Sequence, residues 1–194
     1  MTRLVLLGPP GAGKGTQAAL LSDRLGVPAV STGDTFRAHV AQGTELGKTV
    51  KEYLDAGRYV PDTVTNAVVR DRLQQDDVAA GFILDGYPRT VDQVRELDGV
   101  LAASGVALDH ILEITADVDE LVRRLSARAL AQGRSDDTED VVRTRLRVYA
   151  EQTAPLVEVY SERGLLRSVD GLGEVADVTG RLLAALGPAP VAVA

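Results

Sequence analysis

The chain has 194 residues, of which 45% are hydrophobic and 25% charged, and its formal net charge is −7 at pH 7. These values are typical of one globular domain with a buried core, while the acidic balance argues against nucleic-acid binding. The absence of cysteine excludes disulfides and cysteine-based metal sites. No apolar run is long enough to span a bilayer and no signal-peptide pattern precedes the first predicted strand, so we expect a cytoplasmic protein without a membrane partner.

Short apolar runs alternate with longer amphipathic stretches along the whole chain. This pattern predicts strands at 3–7, 29–30, 82–85, 110–114 and 166–169, and helices near 14–25, 35–41, 45–56, 62–75, 90–103, 117–130, 138–162 and 174–186. Strands that alternate with helices predict an α/β fold, in which a five-stranded parallel sheet is covered on both faces. We treat residues 1–194 as a single domain with a loose tail over 187–194, after a Gly-Pro stop signal.

A glycine-rich loop, "GPPGAGKGT" at 8–16, follows the first strand and opens the first helix. In that context backbone N–H groups point toward a phosphate, and Lys14 adds a compact cation for the β- and γ-phosphates of a nucleotide. The common pattern has Ser or Thr directly after the lysine, where the hydroxyl binds Mg²⁺. Here Gly15 takes that position and the hydroxyl comes one residue later, at Thr16.

Two stretches interrupt the alternation of strands and helices, at 31–60 and 128–137. They are interpreted either as segments that move over a ligand or as ordinary surface connections. In "STGDTFR" at 31–37, Ser31 or Thr32 is suited to cap a helix, with Asp34 in its first turn. Capping does not explain Arg37, so helix capping and ligand contact account for this stretch equally well.

The segment "GFILDGYPRT" at 81–90 ends a buried strand in Asp85. A carboxylate there lies at the edge of the sheet where open α/β folds bind ligands, and it can orient the water shell of Mg²⁺. Gly86 and Pro88 form a turn that presents Arg89. A turn with an incidental arginine is the alternative, and the nearby phosphate loop disfavours it.

Five arginines gather around the second polar segment, at positions 124, 128, 134, 143 and 145. Arg124 and Arg128 are one helical turn apart and share a face. Asp136 and Asp137 are placed to hold Arg134 by charge-assisted hydrogen bonds. Phosphoryl transfer needs positive charge spread over anionic oxygens, which such a cluster supplies.

With these motifs assembled, the chain resembles the adenylate kinases, a family of nucleoside monophosphate kinases. The resemblance covers about residues 3 to 186 and rests on "GPPGAGKGTQ", "STGDTFR", "GRYVPD", "GFILDGYPRTVDQ", "GRSDDTEDVVRTRL" and "VYAEQTAPLVEVY". It implies a P-loop three-layer fold with a helical segment at 31–60 that binds the nucleoside monophosphate (NMP), and a short lid at 128–134. It also implies reversible phosphoryl transfer from Mg²⁺-bound ATP to AMP, giving two ADP.

The resemblance assigns roles to matching residues. The ATP-binding residues are expected to be Gly11, Ala12, Gly13, Lys14, Gly15, Thr16, Arg124, Arg128 and Gly173. The AMP-binding residues are expected to be Thr32, Arg37, Arg58, Tyr59, Val60, Gly86, Tyr87, Pro88, Arg89, Gln93, Arg134 and Arg145. Catalysis is assigned to Lys14, Arg89, Arg128, Arg134 and Arg145, with Mg²⁺ held through water by Asp85.

Two alternatives to this function remain open at the level of sequence. One is a UMP or CMP kinase, although Thr32, Thr90 and Gln93 favour AMP because the related enzymes tend to have Ala at the first position and Asn at the others. The other is a P-loop nucleotide-binding protein without transferase activity. The resemblance further implies a monomer without structural zinc, and it gives His39 and His110 no catalytic role.

Overall fold

A parallel sheet forms the centre of the computed structural model, which describes residues 2–132 and 134–187. Its strands are β1 Thr2–Leu7, β2 Ala29–Ser31, β3 Gly81–Asp85, β4 His110–Thr115 and β5 Leu166–Asp170. They are hydrogen-bonded in the order β2-β3-β1-β4-β5, and every pair is parallel. The predicted α/β fold with a five-stranded parallel sheet is therefore confirmed.

Helices make the connections between the strands. They are α1 Lys14–Leu25, α2 Thr32–Gln42, α3 Glu45–Asp55, α4 Asp62–Arg72, α5 Val91–Ala103, α6 Val118–Gln132, α7 Glu139–Val148, α8 Leu156–Glu162 and α9 Val175–Ala185. Short 3₁₀ turns occur at Asp76–Val78 and Ser135–Asp137, and a π-helical turn at Tyr149–Thr153. Within the described part of the chain, no helix has both the length and the apolar character that crossing a membrane requires.

The alternation of side chains along β1 divides the core between the two faces of the sheet. Val5 and Leu7 pack into the cluster that contains Tyr87 and Tyr160. Leu4 and Leu6 pack into the cluster on the other face, where α1, α6 and α9 contribute. Because successive strand residues point to opposite faces, a strand buried on both sides is apolar throughout, as the sequence "LVLL" shows.

Residues 31–60 have a small apolar cluster of their own, formed around Phe36, Val50 and Val60. Its two helices, α2 and α3, approach closely at Gly47, where a β-carbon would stand 2.1 Å from the backbone oxygen of His39. Any larger residue at this position would separate the two helices. The segment thus packs as a unit beside the sheet.

Several helix boundaries differ from the predicted ones, most clearly over 138–162, where one continuous helix was expected. The chain there forms α7, the π-helical turn and α8 in succession. Pro155 explains the interruption, because it has no N–H for the helix ladder and its ring displaces the carbonyl four residues earlier. Ala154 instead donates to the oxygen of Tyr149, at 2.9 Å, which is the wider π-type bond.

The predicted short lid at 128–134 is not an irregular loop throughout. Its first five residues continue α6, which ends at Gln132. Gly133 of this segment and residues 188–194 of the predicted loose tail lie outside the described residues.

Candidate active site

The carboxyl ends of the parallel strands lie at one edge of the sheet, and the polar motifs follow them there. The phosphate loop occupies residues 8–13, between β1 and α1. Gly8 must lack a side chain, since its φ is 138° and a β-carbon would stand 2.5 Å from the oxygen of Ile114. No side chain caps the N-terminus of α1. Its first N–H groups are therefore available to an anion.

The ammonium group of Lys14 folds back over this loop. It donates to the oxygens of Gly8, at 2.7 Å, and Pro9, at 3.0 Å. Burial lowers the pKa of Lys14 to about 8, against the opposing charge of Asp85, while Arg89, Arg145 and Arg128 lower it further. A bound phosphate would offset this repulsion, so the lysine is placed to gain from an anion.

Asp85, at the end of β3, lies directly beside Gly15. A β-carbon built at Gly15 would be 3.5 Å from the Oδ2 atom of Asp85, and both residues line the largest cavity. No protein hydroxyl stands at position 15, and Thr16 is exposed. The carboxylate of Asp85 thus faces position 15, where other phosphate loops have the hydroxyl of a Ser or Thr.

The largest cavity has a volume of about 510 Å³, within the range of sites for small ligands. Every residue that the sequence assigned to ATP lines it. Arg124 spans its far end, where its guanidinium donates to the oxygen of Gly171 at 2.9 Å and to Glu120 at 2.6 Å. Gly173 and Val175 also line this cavity.

A second, narrower cavity lies between the sheet edge and residues 31–60. It is lined by ten of the twelve residues assigned to AMP: Thr32, Arg37, Arg58, Tyr59, Val60, Gly86, Pro88, Arg89, Gln93 and Arg145. The exceptions are Arg134, which lines the larger cavity, and Tyr87, which is 1% exposed. The side chain of Tyr87 is in the core and donates to Asn66 at 2.9 Å.

The two cavities adjoin, and four cationic residues are common to both linings. Lys14, Arg37, Arg89 and Arg145 line each of them. A group transferred from a ligand in one cavity to a ligand in the other would therefore pass these cations. This arrangement suits a reaction in which negative charge builds up between two bound anions.

Asp136 and Asp137 organise the remaining arginines. Asp137 accepts two bonds from Arg128 and one from Arg145, all at 2.7 Å, and its side chain has no exposed surface. Asp136 accepts two bonds from Arg134, as the sequence predicted, at 2.8 and 2.5 Å. Arg37 approaches Asp136 at 3.8 Å from the other side of the cleft.

The charges in this cluster shift one another's pKa values. Burial alone would raise the pKa of Asp136, but hydrogen bonds from Arg134 and the charge of Arg145 bring it down to about 2. Burial lowers the pKa of Arg145 to about 10, against the pull of both aspartates. Asp136 and Arg145 are consequently charged at neutral pH.

Some of the polar residues named from the sequence lie outside the site. Arg143 is exposed and pairs with Glu139 at 2.7 Å. His39 contacts Thr44 through Nδ1 at 2.9 Å, and neither His39 nor His110 lines a cavity. Ser31 caps α2 by accepting from the N–H of Asp34, so the capping interpretation of "STGDTFR" is correct for that residue.

Several residues around the site had no role predicted from the sequence, and three of them contact residues that did. Asp62 holds the side chain of Gln93 at 2.7 Å, and the Oε1 atom of Gln93 accepts from the N–H of Arg89. Glu120 holds Arg124, and Thr153 contacts the carbonyl of Arg89. Asp62 and Thr153 lie in the quoted motifs "GRYVPD" and "VYAEQTAPLVEVY", whereas Glu120 lies in none of them and resembles an ordinary helix residue.

Comparison with known proteins gives one family. The family model described as adenylate kinase matches residues 6–165. An adenylate kinase of Kocuria rhizophila is 63% identical over 186 residues, which cover 96% of this chain and 99% of that protein. Adenylate kinases of Renibacterium salmoninarum, at 59% identity, and of a Nocardioides species, at 55%, match 96% and 97% of the chain and 96% and 98% of their own lengths.

Proposed function

This chain belongs to the adenylate kinase family and catalyses reversible phosphoryl transfer from ATP to AMP, giving two ADP, and we propose how its residues divide that task. ATP occupies the larger cavity in this proposal, with its phosphates on the loop and Lys14. AMP occupies the narrower cavity, with its phosphate against Arg89. The shared lining of Lys14, Arg37, Arg89 and Arg145 is the single observation that carries this assignment.

Catalysis then consists of alignment and charge stabilisation. The acceptor is a phosphate anion, so the reaction requires no general base. Lys14, Arg89, Arg128, Arg134 and Arg145 stabilise the charge that develops on the transferred group. Asp136 and Asp137 hold Arg128, Arg134 and Arg145, and in this proposal the phosphates replace part of that bonding when they bind.

Mg²⁺ fits the site as a companion of ATP. The described residues contain no group of three or more His, Cys, Asp or Glu side chains that could enclose a metal. Asp85 alone faces the slot beside Gly15. Since Mg²⁺ keeps several waters and favours phosphate oxygens, one carboxylate that orients those waters is a sufficient protein contribution. The ion neutralises phosphate charge when bound.

The Mg²⁺ assignment is tested with Asp85→Asn. We expect the Mg²⁺ concentration for half-maximal activity to rise about fivefold or more, with less change at saturating Mg²⁺. Asp92→Asn, which alters an exposed carboxylate on α5, serves as the control. An unchanged Mg²⁺ dependence for Asp85→Asn would remove this residue from the metal site.

Residues 31–60 are proposed as the NMP-binding segment and residues 128–134 as the short lid. The separate apolar cluster of residues 31–60 supports the first assignment, and the arginines at the C-terminal end of α6 support the second. We also propose a monomer that acts on the cytoplasmic nucleotides, as the family resemblance implies.

Acceptor choice is tested by coupled assays that measure ADP formation with AMP, UMP and CMP. We expect AMP to be the best acceptor. The three relatives compared above are adenylate kinases, and they do not favour either a UMP or CMP kinase or a protein without transferase activity. Higher turnover with UMP would contradict the proposed use of Thr32 and Gln93.

A further inference from the structure

Thr153 lines the narrower cavity, which is proposed above to bind AMP. It is the last residue of the π-helical turn between α7 and α8, and it is 4% exposed. Its side chain lines the cavity together with Tyr59 and Arg89. A π-helical turn changes the direction of every side chain that follows, and such turns are frequent at functional sites.

The hydroxyl of Thr153 joins two parts of the site that are distant in sequence. It donates to the backbone oxygen of Arg89 at 2.9 Å and lies 2.7 Å from the hydroxyl of Tyr59. A threonine hydroxyl has one hydrogen, which the carbonyl of Arg89 takes. Tyr59 is therefore the donor in the second bond.

Arg89 and Tyr59 also contact each other directly through their side chains. The guanidinium carbon of Arg89 lies 4.8 Å from the centre of the Tyr59 ring, in cation–π geometry. The Nε atom of Arg89 donates to the oxygen of Gly86 at 2.7 Å. Thr153 thus fixes the backbone of Arg89 and, separately, the ring that supports its guanidinium.

We propose that Thr153 is a positioning residue for AMP: its hydroxyl sets Arg89 and Tyr59 at a fixed spacing, and the π-helical turn exists to bring that hydroxyl to them. The inference rests on the function proposed above. This proposal also connects the narrower cavity to α7, because Arg145 lies on α7 one turn before the π-helical turn that contains Thr153. Thr153 acts through Arg89 and Tyr59 and touches no reacting atom.

The test compares Thr153→Val, which removes the hydroxyl at nearly constant volume, with Thr153→Ser, which keeps it. We expect Thr153→Val to lower kcat/KM for AMP about tenfold while KM for ATP changes less than twofold. Thr153→Ser should recover most of the loss. Thr144→Val is the matched control, because Thr144 also donates to a backbone oxygen, on the exposed side of α7.

Tyr59→Phe completes a double-mutant cycle, since it removes one of the two bonds and leaves the ring over Arg89. We expect a smaller loss than for Thr153→Val, and no further loss when the two changes are combined. Strict additivity, an equal rise in KM for ATP and AMP, or a Thr153→Ser variant as impaired as Thr153→Val would each overturn the proposal. Failure of the unmodified protein to form ADP from ATP and AMP would instead contradict the catalytic function itself.

Discussion

Asp137 accepts both paired donors of Arg128 at 2.7 Å, from a position in which its own side chain is fully buried. Arg145 reaches the same carboxylate at 2.7 Å. One buried negative charge therefore compensates two arginines that the phosphates are proposed to bind. Both arginines are thus held by a group that carries negative charge, as a phosphate does.

Removing this charge should weaken the fold as well as the site. For Asp137→Asn we expect the free energy of unfolding to fall by about 2 kcal/mol, less than for a fully buried ion pair because Arg128 keeps 29% of its side chain exposed. Urea unfolding measures the change. Asp140→Asn, at an exposed position on α7, should change it by no more than about 0.5 kcal/mol. Equal stability of the two variants would contradict the role given to Asp137.

The lowered pKa of Lys14 predicts that ATP binding takes up protons in mildly alkaline solution. In the folded, ligand-free chain this lysine releases its proton as the pH rises through about 8, whereas an unfolded chain holds it to about 10.4. Its charge therefore costs stability in full below about pH 8, and that cost shrinks as the pH rises from about 8 to about 10.4, where the unfolded chain also loses the proton. A bound phosphate raises the pKa again, so about half a proton per ATP should be taken up at pH 8.

Titration calorimetry measures this uptake in two buffers that differ in ionisation enthalpy. At pH 6.5 Lys14 is protonated in both states, so the uptake should vanish there. Binding at pH 8 with the same heat in both buffers would show that Lys14 is already fully charged.

Arg89→Ala should impair the reaction far more than the fold. We expect kcat to fall about 100-fold or more, since Arg89 lines both cavities, while the free energy of unfolding changes by about 1 kcal/mol or less. Arg95→Ala is the control, because Arg95 is 73% exposed on α5 and pairs only locally with Asp92. Steady-state kinetics and thermal melting separate the two effects. Normal turnover in Arg89→Ala would refute its assigned role.

Two buried tyrosines should respond in opposite ways to loss of the hydroxyl. Among the described residues, the hydroxyl of Tyr160 is the one buried side-chain polar atom without a hydrogen-bond partner. That of Tyr87 donates to Asn66 at 2.9 Å, with the oxygen of Gln93 at 3.2 Å. Tyr160→Phe should leave the free energy of unfolding unchanged or raise it by up to about 1 kcal/mol, because no bond is lost.

Tyr87→Phe should lower the free energy of unfolding by about 1 kcal/mol or more, since the buried hydrogen bond from the hydroxyl to Asn66 is lost. Chemical denaturation of both variants in parallel gives the comparison. If Tyr160→Phe were the more destabilising of the two, its hydroxyl would have to be bonded in solution.

The fold and the charged half of the site were predictable from local patterns. The strands, the loop before Lys14 and the arginines each have a signal within a few residues of sequence. The sequence predicted that Asp137 holds the nearby Arg134, but it did not predict that Asp137 holds Arg128. The bond between Arg128 and Asp137 depends on how α6 packs against the 3₁₀ turn. The assigned ligand contacts remain predictions.

The rest of the site depends on contacts between residues far apart in the chain. Thr153 lies 64 positions from Arg89 and 94 from Tyr59, and nothing in "AEQTAP" indicates a π-helical turn that joins them. Asp62 meets Gln93 across 31 positions, by the packing of α4 against α5. The burial of Tyr87 could not be predicted from local sequence either. The turn that presents Arg89 to the cavity directs the side chain of Tyr87 into the core.

The cations that line both cavities have a consequence for the direction of the reaction. ATP and AMP together carry the same total phosphate charge as two molecules of ADP. Lys14, Arg37, Arg89 and Arg145 therefore face the same total charge before and after transfer, and only its division between the cavities changes. In the proposed assignment these fixed cations therefore need no rearrangement between forward and reverse transfer, and the same site serves both directions of the exchange.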